Sequence, residues 1–93
     1  MSSIIKDFVY LIYSEKFDRF YVGHSTDLDN RLNFHNNGKV KSTKAYCPWK
    51  VVYSEELEST IEARKREKYF KTAAGRRFLM EIKQRSRIPR PND

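Results

Sequence analysis

Residues Phe20–Gly38 read FYVGHSTDLDNRLNFHNNG, and the reading of this stretch decides the fold. It opens with the aromatic and β-branched residues of a strand and closes on a glycine that can end a helix. Between the two, a tyrosine, a glycine, an arginine and a histidine crowd one turn, a set that packing alone does not require. Ser25 or Asp27 can cap a helix running from about Asp27 to Asn37, with Gly38 as its left-handed close. Leu28 and Leu32 form the apolar row of that helix. Arg31 and His35 stand four residues apart and project together at its margin.

Working outward, DFVYLIYS at 7–14 suits a strand, EKFD a turn, and RFYVG the return strand of a hairpin. Alternation places Phe8, Tyr10 and Ile12 on one face and Val9, Leu11 and Tyr13 on the other. In the return strand Tyr21 and Gly23 share a face. WKVVYSE predicts a third strand, with Trp49, Val51 and Tyr53 alternating against Lys50, Val52 and Ser54. Ser59 and Glu62 have capping-box spacing at the head of a helix whose narrow face carries Ala63, Phe70, Ala74 and Glu67. Gly75 is expected to break that helix before a final one, RRFLMEIKQR. The fold class is therefore α/β (α+β): a small three-stranded antiparallel sheet flanked by about three helices.

A chain of 93 residues has room for one core. The expected domain spans residues 1–86, and the proline-containing tail 87–93 is expected to be poorly ordered. Six Tyr, six Phe and one Trp supply much of the apolar area. The single cysteine, Cys47, excludes an internal disulfide and fits a reducing compartment. MSSIIKDF lacks the features of a signal peptide, and no apolar run approaches the roughly 20 residues of a membrane helix. No membrane association and a cytoplasmic location are the expectations.

Nineteen Lys and Arg against twelve Asp and Glu give a net charge of +7, concentrated from Lys39 onward in KVKSTK and EARKREKYFK. Such a field attracts polyanions, nucleic acid above all, although it also serves solubility. Glu67 is the odd residue, because a carboxylate on an apolar helix face needs a partner or a cation. Lys71, one turn on, would supply a structural ion pair. Taken singly, Tyr10 and Tyr21 read as packing residues, Arg31 as a solvated one and His35 as a hydrogen-bonded near-core histidine.

Together these residues resemble the GIY-YIG nuclease superfamily. Val9-Tyr10 stands where the first motif has Ile-Tyr, and Tyr21-Val22-Gly23 matches the second motif. Arg31 and His35 take the positions of the helix arginine and the following histidine, and Glu67 that of the metal-binding glutamate. The resemblance covers Phe8 to Phe78, and looks closest to small stand-alone members related to the N-terminal nuclease domain of UvrC. It implies a divalent-metal-dependent DNA endonuclease with Tyr10, Tyr21, Arg31, His35 and Glu67 as catalytic residues. Glu67 would be the sole protein ligand of one Mg²⁺ (or Mn²⁺), weakly bound without substrate. Arg31 would fork onto the phosphate. Tyr21 would take or relay the proton of the attacking water. A phenol is a poor base at neutral pH unless cations assist it, and His35 competes for the role.

Three departures from the family pattern stand out. His24 occupies the place of a lysine in UvrC-type domains. The late asparagine of larger members has no counterpart but Asn92, in the tail. Cys47-Pro48-Trp49 replaces the Arg-Pro-Trp of many small relatives. Nucleic-acid contacts are expected from Gly23, His24, Lys39, Lys41, Thr43, Lys44, Arg64, Lys65, Lys68, Arg76 and Arg77. Phosphate contacts of this kind read no sequence. Structure-selective cutting, or targeting by a partner protein, in DNA repair or recombination is therefore the expectation. A catalytically weak or inactive nucleic-acid-binding domain is the alternative. RNA satisfies the charge equally, and the sequence leaves the oligomeric state open.

Overall fold

The computed structural model describes residues 6–86, so the reading of 87–93 as a poorly ordered tail lies outside the described residues, as does Asn92. Strands β1 (Asp7–Ser14) and β2 (Arg19–Ser25) form the hairpin, and α1 (Leu28–Asn36) follows. A 3₁₀ turn over Lys44–Tyr46 interrupts the basic loop before β3 (Lys50–Leu57). Helices α2 (Thr60–Phe70) and α3 (Ala73–Ser86) complete the chain. The sheet order is β2-β1-β3, antiparallel throughout, so the most apolar strand is central. No helix among the described residues is long and apolar enough to cross a membrane.

A central strand covered on both faces must carry largely apolar side chains, and β1 does from Phe8 to Tyr13. Val9 and Leu11 face α2 and α3, where they pack with Val22, Ala63, Phe70, Leu79 and Ile82. Tyr10 and Ile12 face the other way, toward Trp49, Leu28, Leu32 and Tyr21. The second layer is thinner, because a nine-residue helix and a loop cover it. The caps follow the sequence. Asp27 accepts from the Asn30 amide at 3.1 Å, Ser59 accepts from that of Glu62 at 3.2 Å, and Gly38 takes φ 72°.

Three expectations need correction. Strict alternation along β3 fails, because Leu11 pairs with Tyr53 while Ile12 pairs with Val51, leaving Val52 as a bulge. Trp49 and Val51 therefore pack with Tyr10, whereas Tyr53 joins the α2/α3 layer. Second, the helix break falls at Lys71–Thr72 and not at Gly75, which lies buried inside α3 against the end of α2. Third, Ala74 is exposed, since the new helix axis turns it out of the α2 face.

Candidate active site

The sheet register creates the centre of the site. Tyr10 pairs with Gly23 and Ile12 with Tyr21, so the two tyrosines are diagonal neighbours on one face with ring centroids 6.4 Å apart. Gly23 is needed for this arrangement. A Cβ there would meet the Tyr10 hydroxyl at 2.5 Å and the Tyr21 ring at 3.0 Å. The space above Gly23 thus holds a phenol. The sequence had placed a nucleic-acid contact at this glycine.

Helix α1 brings His35 onto this pair, 5.8 Å from the Tyr10 ring and 5.0 Å from that of Tyr21. His35 is not at the margin of the helix; it is the one buried residue α1 has, with no exposed surface. Its Nε2 lies 2.9 Å from the Tyr10 hydroxyl and its Nδ1 2.8 Å from Thr43 Oγ1. Because the Thr43 hydroxyl donates to the Val40 carbonyl at 3.3 Å, it must accept from His35 Nδ1–H. The lone pair of Nε2 then accepts from Tyr10. A directed chain runs from Tyr10 through His35 and Thr43 to Val40.

Thr43 is therefore 1% exposed and engaged, which removes it as a substrate contact and makes it the partner that orients His35. The basic loop is fastened around it. Trp49 Nε1 donates to the Thr43 carbonyl at 3.0 Å, and Asn36 clasps the Trp49 backbone at 2.6 and 3.0 Å. Cys47 Sγ donates to the His35 carbonyl at 2.9 Å.

Charge converges on the same point. Burial raises the ionisation of the Tyr10 hydroxyl well above its ordinary value, with Tyr21 and Glu67 adding to the rise and Arg31 opposing it. Arg31 from α1 and Glu67 from α2 thus both act on one phenol. Burial, then the Arg31 guanidinium, lowers His35 below 6.5, so the imidazole is neutral in the fold.

A depressed histidine makes stability pH-dependent with a definite sign. As pH falls, the unfolded chain takes up its proton first, near 6.5, so stability is complete above that value. It then declines, by up to about 1.4 kcal/mol per pH unit, between the unfolded value and the lower folded one. Urea unfolding from about pH 7.5 to about pH 5 should show this decline in the wild type and a flatter profile in His35→Gln.

Glu67 is flanked on both sides. Its Oε1 is 3.3 Å from Lys71 Nζ and its Oε2 is 3.8 Å from His24 Nε2. The other nitrogen of His24 lies 3.1 Å from the carboxylate of Asp7, a buried residue. His24 therefore bridges two carboxylates. Asp7 went unread in the sequence, although a carboxylate opening an apolar strand was its signal. Among the described residues no group of three or more His, Cys, Asp or Glu could hold a metal ion. The available donor is one partly exposed carboxylate, which fits a hydrated Mg²⁺ or Mn²⁺ that keeps most of its water, not a protein-caged zinc.

Lys39, Lys41, Lys44, Arg64, Lys65, Lys68, Arg76 and Arg77 are all exposed. Arg66 is instead engaged by Glu55 through two contacts of 2.8 Å.

The family model described as GIY-YIG catalytic domain matches residues 6–80. A UPF0213 protein of Streptococcus agalactiae serotype V is 45% identical over 65 residues, covering 69% of this chain and 74% of that protein. A UPF0213 protein of Staphylococcus haemolyticus is 36% identical over 81 residues, covering 86% and 98% respectively. The solution NMR structure of a UPF0213 protein from Bacillus halodurans, 27% identical, aligns over 84% of this chain and 85% of that one with a TM-score of 0.49.

Proposed function

Because this chain belongs to the GIY-YIG catalytic-domain family, we propose that it is a divalent-metal-dependent DNA endonuclease, selective for DNA structure or targeted by a partner protein, acting in repair or recombination. One observation carries the reading. The register of β1 and β2 and the seat of α1 bring the Tyr10 hydroxyl, 2.9 Å from His35 Nε2, and the Tyr21 ring, 6.4 Å from that of Tyr10, onto one face. Arg31 and Glu67 act electrostatically on the same hydroxyl. Hydrolysis of a phosphodiester can use a proton relay, a cation on the phosphate and a carboxylate for a metal ion, and this set offers all three.

Roles follow from what each group has free. His35 has both nitrogens engaged and no exposed surface, so it cannot take a proton from water. It holds Tyr10 in place instead. Tyr21 is partly exposed, and among the described residues its hydroxyl makes no hydrogen bond, so it can relay the proton of the attacking water, taking that proton as it passes its own to solvent. This favours Tyr21 over His35 for the base role that the sequence left open. Arg31 donates a planar fork to the phosphate, a contact that strengthens as negative charge develops. Glu67 would hold the ion, which when bound neutralises charge on the phosphate oxygens. The exposed lysines and arginines position the backbone without reading bases.

The alternative, a binding domain that does not cut, draws on the crowding of Glu67 by Lys71 and His24. Lys71 has most of its side chain in solvent and can swing away, so the crowding is reversible. The test is a nicking assay on duplex, branched and single-stranded DNA. Cleavage is expected with Mg²⁺, none with chelator and none from Glu67→Ala. Equal cleavage by both proteins would place the activity elsewhere. Binding by both without cleavage by either would establish the alternative.

A further inference from the structure

The tip of the β1–β2 hairpin carries chemistry that the reaction centre does not use. Phe17 sits on the turn, 42% exposed. Its ring meets that of Tyr46 nearly edge-on, at 5.6 Å and 75°. Lys16 Nζ lies 5.6 Å from the Phe17 ring centre, and Arg19 Cζ 5.0 Å from that of Tyr46. A single exposed ring needs no explanation. Here two rings from distant parts of the chain alternate with two cations, the composition of a surface that stacks bases and binds their phosphates.

The cluster is held in place beside the strand that carries Tyr21. Asp18, at φ 53°, turns the chain beside Phe17, accepts from the Tyr13 hydroxyl at 2.7 Å and pairs with Lys83 at 2.8 Å. Tyr46 is fixed from below by Trp49, with ring centres 6.5 Å apart. Arg19 lies on the same face of β2 as Tyr21, two residues and about 7 Å along the strand. A backbone with its reacting phosphate at Tyr21 therefore reaches Arg19 with its next residues. Bases within a duplex already stack on one another and cannot use such a platform, whereas an unpaired base can.

We propose that Phe17, Tyr46 and Arg19 form a stacking site for an unpaired nucleobase beside the reaction centre, so that the preferred substrate contains a single-stranded segment. This rests on the nuclease reading and names its substrate class.

Binding without metal separates the two. Fluorescence anisotropy in EDTA, with labelled oligothymidine and a duplex of equal length, would be compared for wild type, Phe17→Ala, Phe17→Leu and Phe17→Trp. Phe17→Ala and Phe17→Leu should each weaken oligothymidine binding by roughly 5- to 100-fold and leave duplex binding within about twofold. Their salt dependence should keep its slope, since no charge is removed. Phe17→Trp should bind as tightly as wild type. The leucine variant preserves apolar area at the turn, so loss in both variants points to the π face and not to altered folding. Unchanged oligothymidine binding, or equal loss on both ligands, would overturn the stacking site. An intact oligonucleotide after incubation with Mg²⁺, alongside the expected binding pattern, would count against the nuclease reading alone.

Discussion

Tyr21→Phe is expected to leave the fold intact and to lower DNA cleavage by about 10²–10⁴-fold, the range lost with a positioned proton acceptor. The substitution removes one oxygen. Among the described residues that oxygen has no hydrogen-bond partner, so no buried group is orphaned by its loss, while the ring keeps its place against Tyr10 and His35. Thermal unfolding should therefore be unchanged while single-turnover cleavage collapses. Tyr10→Phe would not be as clean, because it strands Nε2 of a fully buried histidine. Wild-type cleavage by Tyr21→Phe would remove this tyrosine from the chemistry.

Gly75→Ala should be strongly destabilising for a single added methyl group, costing about 3 kcal/mol. A Cβ at this position would run into the carbonyl oxygen of Tyr69 and the Cα of Phe70, and would lie 2.8 Å from the Phe70 carbonyl carbon. These are backbone atoms and cannot rotate aside. Relief would require α3 to lift from the end of α2, pulling Leu79 and Ile82 from the core they share with Phe70. For a domain of this size the loss corresponds to a fall in Tm of about 12–24 °C, read by calorimetry. An unchanged Tm would mean that the two helices part without cost.

The elements were legible because their signals are local. Alternation, caps and a closing glycine depend on neighbours within a few residues, and the three strands, α1 and the start of α2 stand where these signals place them, whereas the last helix begins ahead of Gly75. The site was legible as a set of residue types and much less so as a geometry. Which residues were chemical and which supporting depends on burial, and burial is decided across the sheet. Thr43 looked like a nucleic-acid contact in a basic loop, yet the loop folds back so that Thr43 can accept from His35. His35 looked marginal because α1 offers few apolar residues, and a polar ring fills the gap they leave. Asp7 and Asn36 gave no periodic signal at all. Their partners, His24 and the Trp49 backbone, come from other parts of the chain.

The extra residue in β3 has a wider consequence. Upstream of Val52 the strand answers to the layer that holds the tyrosines, and downstream, through Tyr53 and Leu57, to the helical layer. One strand is thereby divided into two stretches whose side chains can diversify under separate pressures. Exchanging a residue in either stretch disturbs one layer, whereas losing a single position would reverse the facing of every residue on one side of the gap. Descendants of this chain should therefore vary in composition here far more freely than in length.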